Sequence, residues 1–397
     1  MNLDQHAGGR VRPEVAEEVA RLLREGAATL ANPSSAHADG RRARALVEAA
    51  REEVAALVGA RVSEVVFTSG ATESNATVVR GAGRAGAHLV STAIEHVSVL
   101  RALDAAGADG ATVSLVGTDA EGRVDPARFA AEVREETALA SVGWANGEIG
   151  TLQPVAEIAA LVRAVAPGAI VHSDAVQAVA TRAIDFGASG LDALSIAGHK
   201  LGALPGTGAL VLRAGLDLPA LLHGGPHERG RRAGTENVFG IASFGLAARL
   251  ARGEREAFRR RAAGLVERLW AGIATSCAPV VRLGARESVP TVLAVAFAGL
   301  RGDALVAALD LAGVAASTGA ACAAGGSEPS HVQRAIGLPP DLASGALRLS
   351  FGWSMDEASV DRAVGAVADA VALARRAVAA GRGVARSDGR VGPSRAA

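Results

Sequence analysis

The chain has 397 residues, a formal net charge of zero, and 49% hydrophobic but only 3% aromatic content. At roughly 150 residues per domain this length allows two domains, and a core of Ala, Val and Leu favours helix-rich α/β packing over a sandwich or barrel. Neutrality without a long basic stretch excludes nonspecific nucleic-acid binding, and the longest apolar run, 292–300, is about half a membrane span.

The opening MNLDQHAGG carries no basic, apolar leader, so a cytoplasmic protein without a membrane partner is expected. From about residue 40 to 215, short β-branched runs alternate with amphipathic stretches. EVVFTSG, HLVSTA, TVSLV, LASVGWAN, IVHSDAV, ALSIAG and GALVL read as strands, and 154–165 is a helix between two of them. Such alternation predicts a mainly parallel sheet covered on both faces, with sites where strands end and helices begin. GAGRAG, 81–86, matches GxGxxG but has a helix before it and a strand after it, the reverse of a dinucleotide site, and is expected to be a connection.

Charged helical sequence over 253–277 leads into a second pattern, with TVLAVAF, GVAAS and ALRLSFG as strands and helices over 303–312 and 356–378. The predicted architecture is α/β: a large domain over 14–253, a smaller α+β domain from 1–13 and 254–378, and a disordered tail over 379–397. Cys277 and Cys322 lie in no CxxC or Cys/His cluster, so neither a metal site nor a disulfide framework is predicted.

Of 41 Lys plus Arg residues, Lys200 is the only lysine. Arginine keeps its proton in proteins, whereas a lysine amine can deprotonate, attack a carbonyl and form a Schiff base; the alternative is a leftover charge in an Arg-biased chain. In EVVFTSGATESNATVV a turn at Gly70 and a helix opening at Ala71 and Thr72 would offer free N–H groups to a phosphate. An ordinary turn capped by Ser69 or Thr72 reads the same. Asp174 ends an apolar strand, where a carboxylate needs a cation, and His199 and Lys200 end a later one. Together these are the parts that pyridoxal phosphate requires.

The motifs NPSSAH (32–37), SGATESN (69–75), EHVSVL (95–100), HSDAVQA (172–178) and GHK (198–200) are followed by GGPHERGRRAGTEN (224–237), EPSHVQRAIG (328–337) and LRLSFG (347–352). In this order they resemble the cysteine desulfurases of the class V aminotransferase family, from Leu3 to about Val360. The resemblance implies a fold-type I pyridoxal-phosphate enzyme with a seven-stranded large sheet, working as a homodimer. Its substrate would be L-cysteine and its sulfur acceptor a protein of iron–sulfur cluster, thio-cofactor or tRNA pathways.

By the same resemblance Lys200 binds the cofactor aldehyde, Asp174 pairs with the ring nitrogen, His96 stacks on the ring and shuttles protons, and Gln177 bonds the ring hydroxyl with Asn146 nearby. Thr72, His199 and the backbone of Ala71 hold the phosphate, joined by Thr235 from the neighbouring subunit. Asn32 and Arg348 take the substrate, Arg348 through a bidentate grip on its carboxylate. Cys322, in STGAACAAGGSEPSH, matches the cysteine of the subclass with a long mobile loop, and its thiolate would receive the substrate sulfur as a persulfide while alanine leaves. Cys277 matches no motif and is expected to be an inert thiol.

Three places depart from the family pattern. HAGG (6–9) stands for Asn-Ala-Thr-Thr, Gly147 for the second asparagine of Asn-Asn-Glu, and Ala197 for a phosphate-binding serine. Each loses a hydrogen bond, about 1 kcal/mol net. The competing readings are a related class V lyase or aminotransferase acting on another amino acid, with Cys322 idle, and a nonenzymatic homologue.

Overall fold

The computed structural model describes residues 1–25, 31–319 and 329–387. Its large sheet has seven strands: β1 (Val65–Thr68), β2 (His88–Thr92), β3 (Thr112–Val116), β4 (Thr137–Ser141), β5 (Ile170–Asp174), β6 (Ala193–Ala197) and β7 (Gly208–Leu212). Their order is β1-β7-β6-β5-β4-β2-β3, parallel from β6 to β3, with β7 antiparallel to both β1 and β6. β6 and β7 are buried along their whole length. That is the condition of strands covered on both faces and the reason they read as unbroken apolar runs.

Six helices precede or connect these strands: α1 (Pro13–Arg24), α2 (Ala38–Val58), α3 (Ala71–Ala82), α4 (Val97–Ala108), α5 (Pro126–Ala131) and α6 (Val155–Val165). GAGRAG closes α3 and leads into β2, as expected of a connection. The long helix α7 (Val238–Ser276) then packs its first turns, to Ala251, into the core of the large sheet, and Leu265, Val266, Leu269 and Ile273 into a second core. Gly253, where the sequence suggests a change of domain, therefore lies inside a continuous helix that both cores share.

The second core covers an antiparallel sheet of β8 (Val281–Leu283), β9 (Val292–Ala296) and β10 (Ala346–Ser350) in the order β10-β9-β8. Around it lie α8 (Gly302–Leu311), α9 (His331–Ala335), α10 (Pro340–Ala343) and α11 (Glu357–Ser387).

Four sequence expectations shift. GVAAS is not a strand: Ala315 and Ser317 make only single bridges, to Asn2 and Arg348. The strand of three residues at β8 is too short to show periodicity. β4 begins two residues before LASVGWAN and ends at Ser141, because the Gly143 N–H turns to the Glu95 carboxyl and the Trp144 N–H to the Asp174 carbonyl. α11 continues to Ser387, past the point where a disordered tail was expected, since its Ala- and Arg-rich sequence tolerates three glycines. Residues 388–397 lie outside the described residues. No described helix is long and apolar enough to cross a membrane.

Candidate active site

Strand ends assemble the site. Asp174 closes β5 and is paired in register with Ser195 of β6. β6 runs on into one turn of 3-10 helix, Gly198–Leu201, which carries His199 and Lys200. The first residue of β7, Gly208, is opposite Ala197 on one side and Thr68 of β1 on the other, bringing the start of α3 beside this turn. A Cβ on Gly208 would lie 2.6 Å from the Cα of Gly70, so only glycine permits that approach.

α3 starts at Gly70 with φ 156° and no side-chain cap. Neither Ser69 nor Thr72 caps it: the Ser69 N–H donates to Glu73 instead. The amides of Ala71, Thr72 and Glu73 have no acceptor among the described residues, which makes the helix start a seat for an anion. Thr72 is exposed beside it. His199 is half-buried, and burial together with Lys200 pushes its pKa down to about 4, so it is neutral.

Asp174 is 9% exposed. Its Oδ2 accepts from Asn75 Nδ2 at 2.7 Å and its Oδ1 from the Val176 N–H at 3.0 Å. No lysine, arginine or histidine among the described residues forms an ion pair with it. A buried carboxylate so placed is electrostatically incomplete until a cationic group arrives.

Asn75 links this carboxylate to His96. Its Nδ2 also donates to Ser98 Oγ at 2.9 Å, and Ser98 Oγ lies 2.7 Å from His96 Nδ1. The Ser98 N–H also donates to His96 Nδ1, at 3.2 Å, so that nitrogen is an acceptor and the ring proton resides on Nε2. The ring is open to solvent in this structure. Desolvation by the surrounding protein nevertheless lowers its pKa, with Asp174 opposing and Lys200 and His331 adding to the effect.

Lys200 Nζ donates to the carbonyls of His6 and, at 2.9 Å, Ala7. Gln177 Nε2 reaches the same His6 carbonyl at 3.2 Å. Arg348, on β10 and 5% exposed, donates to the carbonyls of Gly147 and Gly319 at 3.3 and 3.0 Å and pairs with Asp4 at 2.7 Å. Its buried Nε has no partner among the described residues.

Other expected site residues stand apart. Asn146 spends its amide on its own loop, donating to the Ile94 carbonyl and accepting from the N–H groups of Glu148 and Ile149. Asn32 is exposed and bonds to Ser34 and Ser35 within one turn, away from Lys200 and Arg348. Thr235 is exposed and its hydroxyl has no hydrogen-bond partner among the described residues. Cys322 lies outside the described residues; Cys277 is a buried free thiol. No group of His, Cys, Asp and Glu suited to a metal ion occurs among the described residues.

Sequence reasoning missed Asn75, Ser98 and Glu95. Asn75 was legible in principle, since it lies four residues after Ala71 and so on the same face of α3. Glu95 has no comparable signal. It is buried, accepts from Thr92 and the Gly143 N–H, and has its pKa pushed up to about 7 by burial, with Asp174 adding slightly.

These groups set a pH dependence. Burial lowers the pKa of His6 to about 3 and of His172 to about 4, so the unfolded chain binds the extra protons and stability falls as pH drops below 6.5. Glu95 acts oppositely, because its folded form takes up a proton below about 7. His199, likewise lowered to about 4, adds a third histidine, and three histidines against one carboxyl leave a net loss of about 2.7 kcal/mol per pH unit between roughly pH 6.5 and 4.5. Urea unfolding at pH 6.5 and 5.0 measures it; equal stability at both values would contradict this ionisation scheme.

The class V aminotransferase family profile matches residues 1–363, and the chain belongs to that family. An IscS-like cysteine desulfurase of Mycobacterium tuberculosis is 41% identical over 398 residues, spanning 97% of this chain and 99% of its own. Among solved structures, a NifS-like protein superposes with a TM-score of 0.87 at 31% identity, over 94% of this chain and 99% of its own. SspA in complex with cysteine superposes with a TM-score of 0.77 at 29% identity, over 88% and 98%.

Proposed function

We propose that this chain is a pyridoxal-phosphate-dependent cysteine desulfurase, converting L-cysteine to L-alanine and leaving a persulfide on Cys322 for an acceptor protein. The observation that carries the reading is the only lysine of the chain, Lys200, in the turn that follows the strand beside a buried carboxylate, Asp174, that has no cationic partner among the described residues. The residues fit the cofactor: Asp174 suits a protonated ring nitrogen, and the unpaired amides of Ala71 and Thr72, with His199, suit its phosphate. Thr235 of the partner subunit would complete that seat in a homodimer. Gln177 would face the ring hydroxyl and His96 the ring. Asn146 would support the loop beside them and Asn32 the substrate. The division into 14–253 and 1–13 with 254–378, and a cytoplasmic setting, belong to the same reading.

Bound there, pyridoxal phosphate supplies an aldehyde that condenses with amines and a ring that takes up the charge left at a substrate α-carbon. Asp174 keeps the ring nitrogen protonated. Arg348 orients the substrate carboxylate, with its unpartnered Nε available for one of the bonds. Lys200 Nζ, held by the carbonyls of His6 and Ala7, would as a neutral amine take the α-proton and return it. The Cys322 thiolate attacks the substrate sulfur: an S–S bond forms, the C–S bond breaks, and the β-carbon gains the proton that the substrate thiol gives up.

The test is the yield of alanine and sulfide from cofactor-loaded protein given L-cysteine and a thiol reductant. Equal amounts of both products are expected, with at least a roughly hundredfold loss in Cys322→Ala, as for removal of a covalent nucleophile. Neither product, despite bound cofactor, would transfer the assignment to a class V enzyme acting on another amino acid.

A further inference from the structure

Two of the places where this chain departs from its relatives meet in space. His6 is 7% exposed, and every polar group it has is engaged. Its N–H donates to Ser350 Oγ at 2.9 Å. Its Nδ1 lies 3.1 Å from the Gly147 carbonyl and its Nε2 3.0 Å from Thr291 Oγ1. A carbonyl only accepts, so Nδ1 carries the proton and Nε2 accepts from the threonine hydroxyl. The imidazole thus ties the N-terminal segment to the 146–150 loop and to the segment entering β9.

The carbonyl of His6 takes hydrogen bonds from both Lys200 Nζ and Gln177 Nε2. Gly147 closes the triangle. A Cβ on it would sit 3.3 Å from Gln177 Nε2 and 3.5 Å from Gln177 Cγ, tighter than ordinary contact at the amide. A side chain at 147 would therefore displace the Gln177 amide by a few tenths of an ångström while leaving the Gly147 carbonyl in place.

We propose that His6 is a positioning residue for Lys200: its imidazole, anchored on Gly147 and Thr291, fixes the His6 carbonyl as the acceptor for the lysine amine whenever that amine is not bound to the cofactor, and the glycine at 147 leaves Gln177 room to share that carbonyl. Neither group touches the reacting atoms. Both converge on one carbonyl oxygen, the imidazole by anchoring it and Gly147 by leaving Gln177 room to reach it. Burial and the nearby Arg348 and Lys200 charges keep the ring neutral, with its pKa lowered to about 3, so the anchor persists through the neutral range. The charged and titratable groups facing it are Arg348, Lys200 and, through Arg348, Asp4.

The inference rests on Lys200 as the cofactor-binding amine, but its test needs neither turnover nor L-cysteine. Because the chain has one lysine, arylation of its amine in the full chain stripped of cofactor can be counted at that residue by peptide mass. Trinitrobenzenesulfonate is the probe. His6→Ala is expected to label Lys200 roughly three- to tenfold faster than wild type, the effect of weakening one hydrogen bond by about 1 kcal/mol, whereas Gly147→Ala, which leaves the anchoring carbonyl and the Lys200 contact in place, should label at the wild-type rate.

His6→Asn, which keeps a donor for the Gly147 carbonyl, should restore slow labelling, and His6→Leu, which keeps bulk without that donor, replaces His6→Ala if the alanine variant does not fold. Ile273→Val, a destabilising change in the second core, controls for general loosening and should leave labelling unchanged. A wild-type rate in folded His6→Ala, or in His6→Leu where that replaces it, would overturn the proposal, as would acceleration of the core control to the same degree. Absence of alanine formation with this labelling pattern intact would count against the desulfurase reading alone.

Discussion

Lys200→Arg is expected to abolish alanine formation, by roughly a thousandfold or more, while leaving the fold intact. Arginine retains the positive charge and can still donate to the carbonyls of His6 and Ala7, so the seat beneath the 3-10 turn stays occupied. What it lacks is an amine that can deprotonate and bond to an aldehyde carbon. The visible absorbance of covalently held cofactor should vanish in the variant, and borohydride treatment should fix no cofactor to the protein. No second lysine exists to take over, so the result is unambiguous. Cofactor fixed covalently to the variant, or turnover within tenfold of wild type, would remove Lys200 from its assigned role.

The parts of the site that were legible in the sequence are those set by local pattern. β5 and β6 announce themselves as apolar runs because helices cover both faces, and the polar residues at their ends, Asp174, His199 and Lys200, stand out against that background. Gly70 before ATESN marked the helix start for a similar reason.

What stayed hidden depends on segments far apart in the chain. His6 meets Gly147 and Thr291, 141 and 285 residues away. Ser98 reads as an unremarkable residue of a helix until Asn75 and His96 are placed on either side of it. The Asn146 amide looked available to the cofactor because sequence does not reveal that the loop's own N–H groups consume it. Within the second core, Ala315 and Ser317 have β-like composition but find only single bridges, since the pairing they need comes from residue 2 and from β10.

Asp174→Asn separates cofactor attachment from cofactor activation. Asparagine matches the carboxylate in shape, but one of its two arms becomes a donor, and both positions it inherits are occupied by donors, Asn75 Nδ2 and the Val176 N–H. The backbone N–H is fixed, so the new amide keeps its oxygen there and turns its NH2 toward Asn75. Asn75 can respond, because its own Oδ1 is buried without a partner and a flip of the side chain presents it.

That flip repairs one contact at the expense of another, since Ser98 then loses the Asn75 donor and its hydroxyl is drawn away from His96 Nδ1. Unfolding stability should therefore change by only about 1 kcal/mol, and Lys200 should still bind the cofactor covalently. kcat should fall by roughly a hundred- to a thousandfold, because no charge remains to hold the ring nitrogen protonated as the α-proton leaves. Visible absorbance and turnover measured on one preparation decide the point: cofactor attached with turnover lost supports the electrostatic role, whereas kcat within threefold of wild type would leave Asp174 as a structural acceptor for Asn75 and Val176.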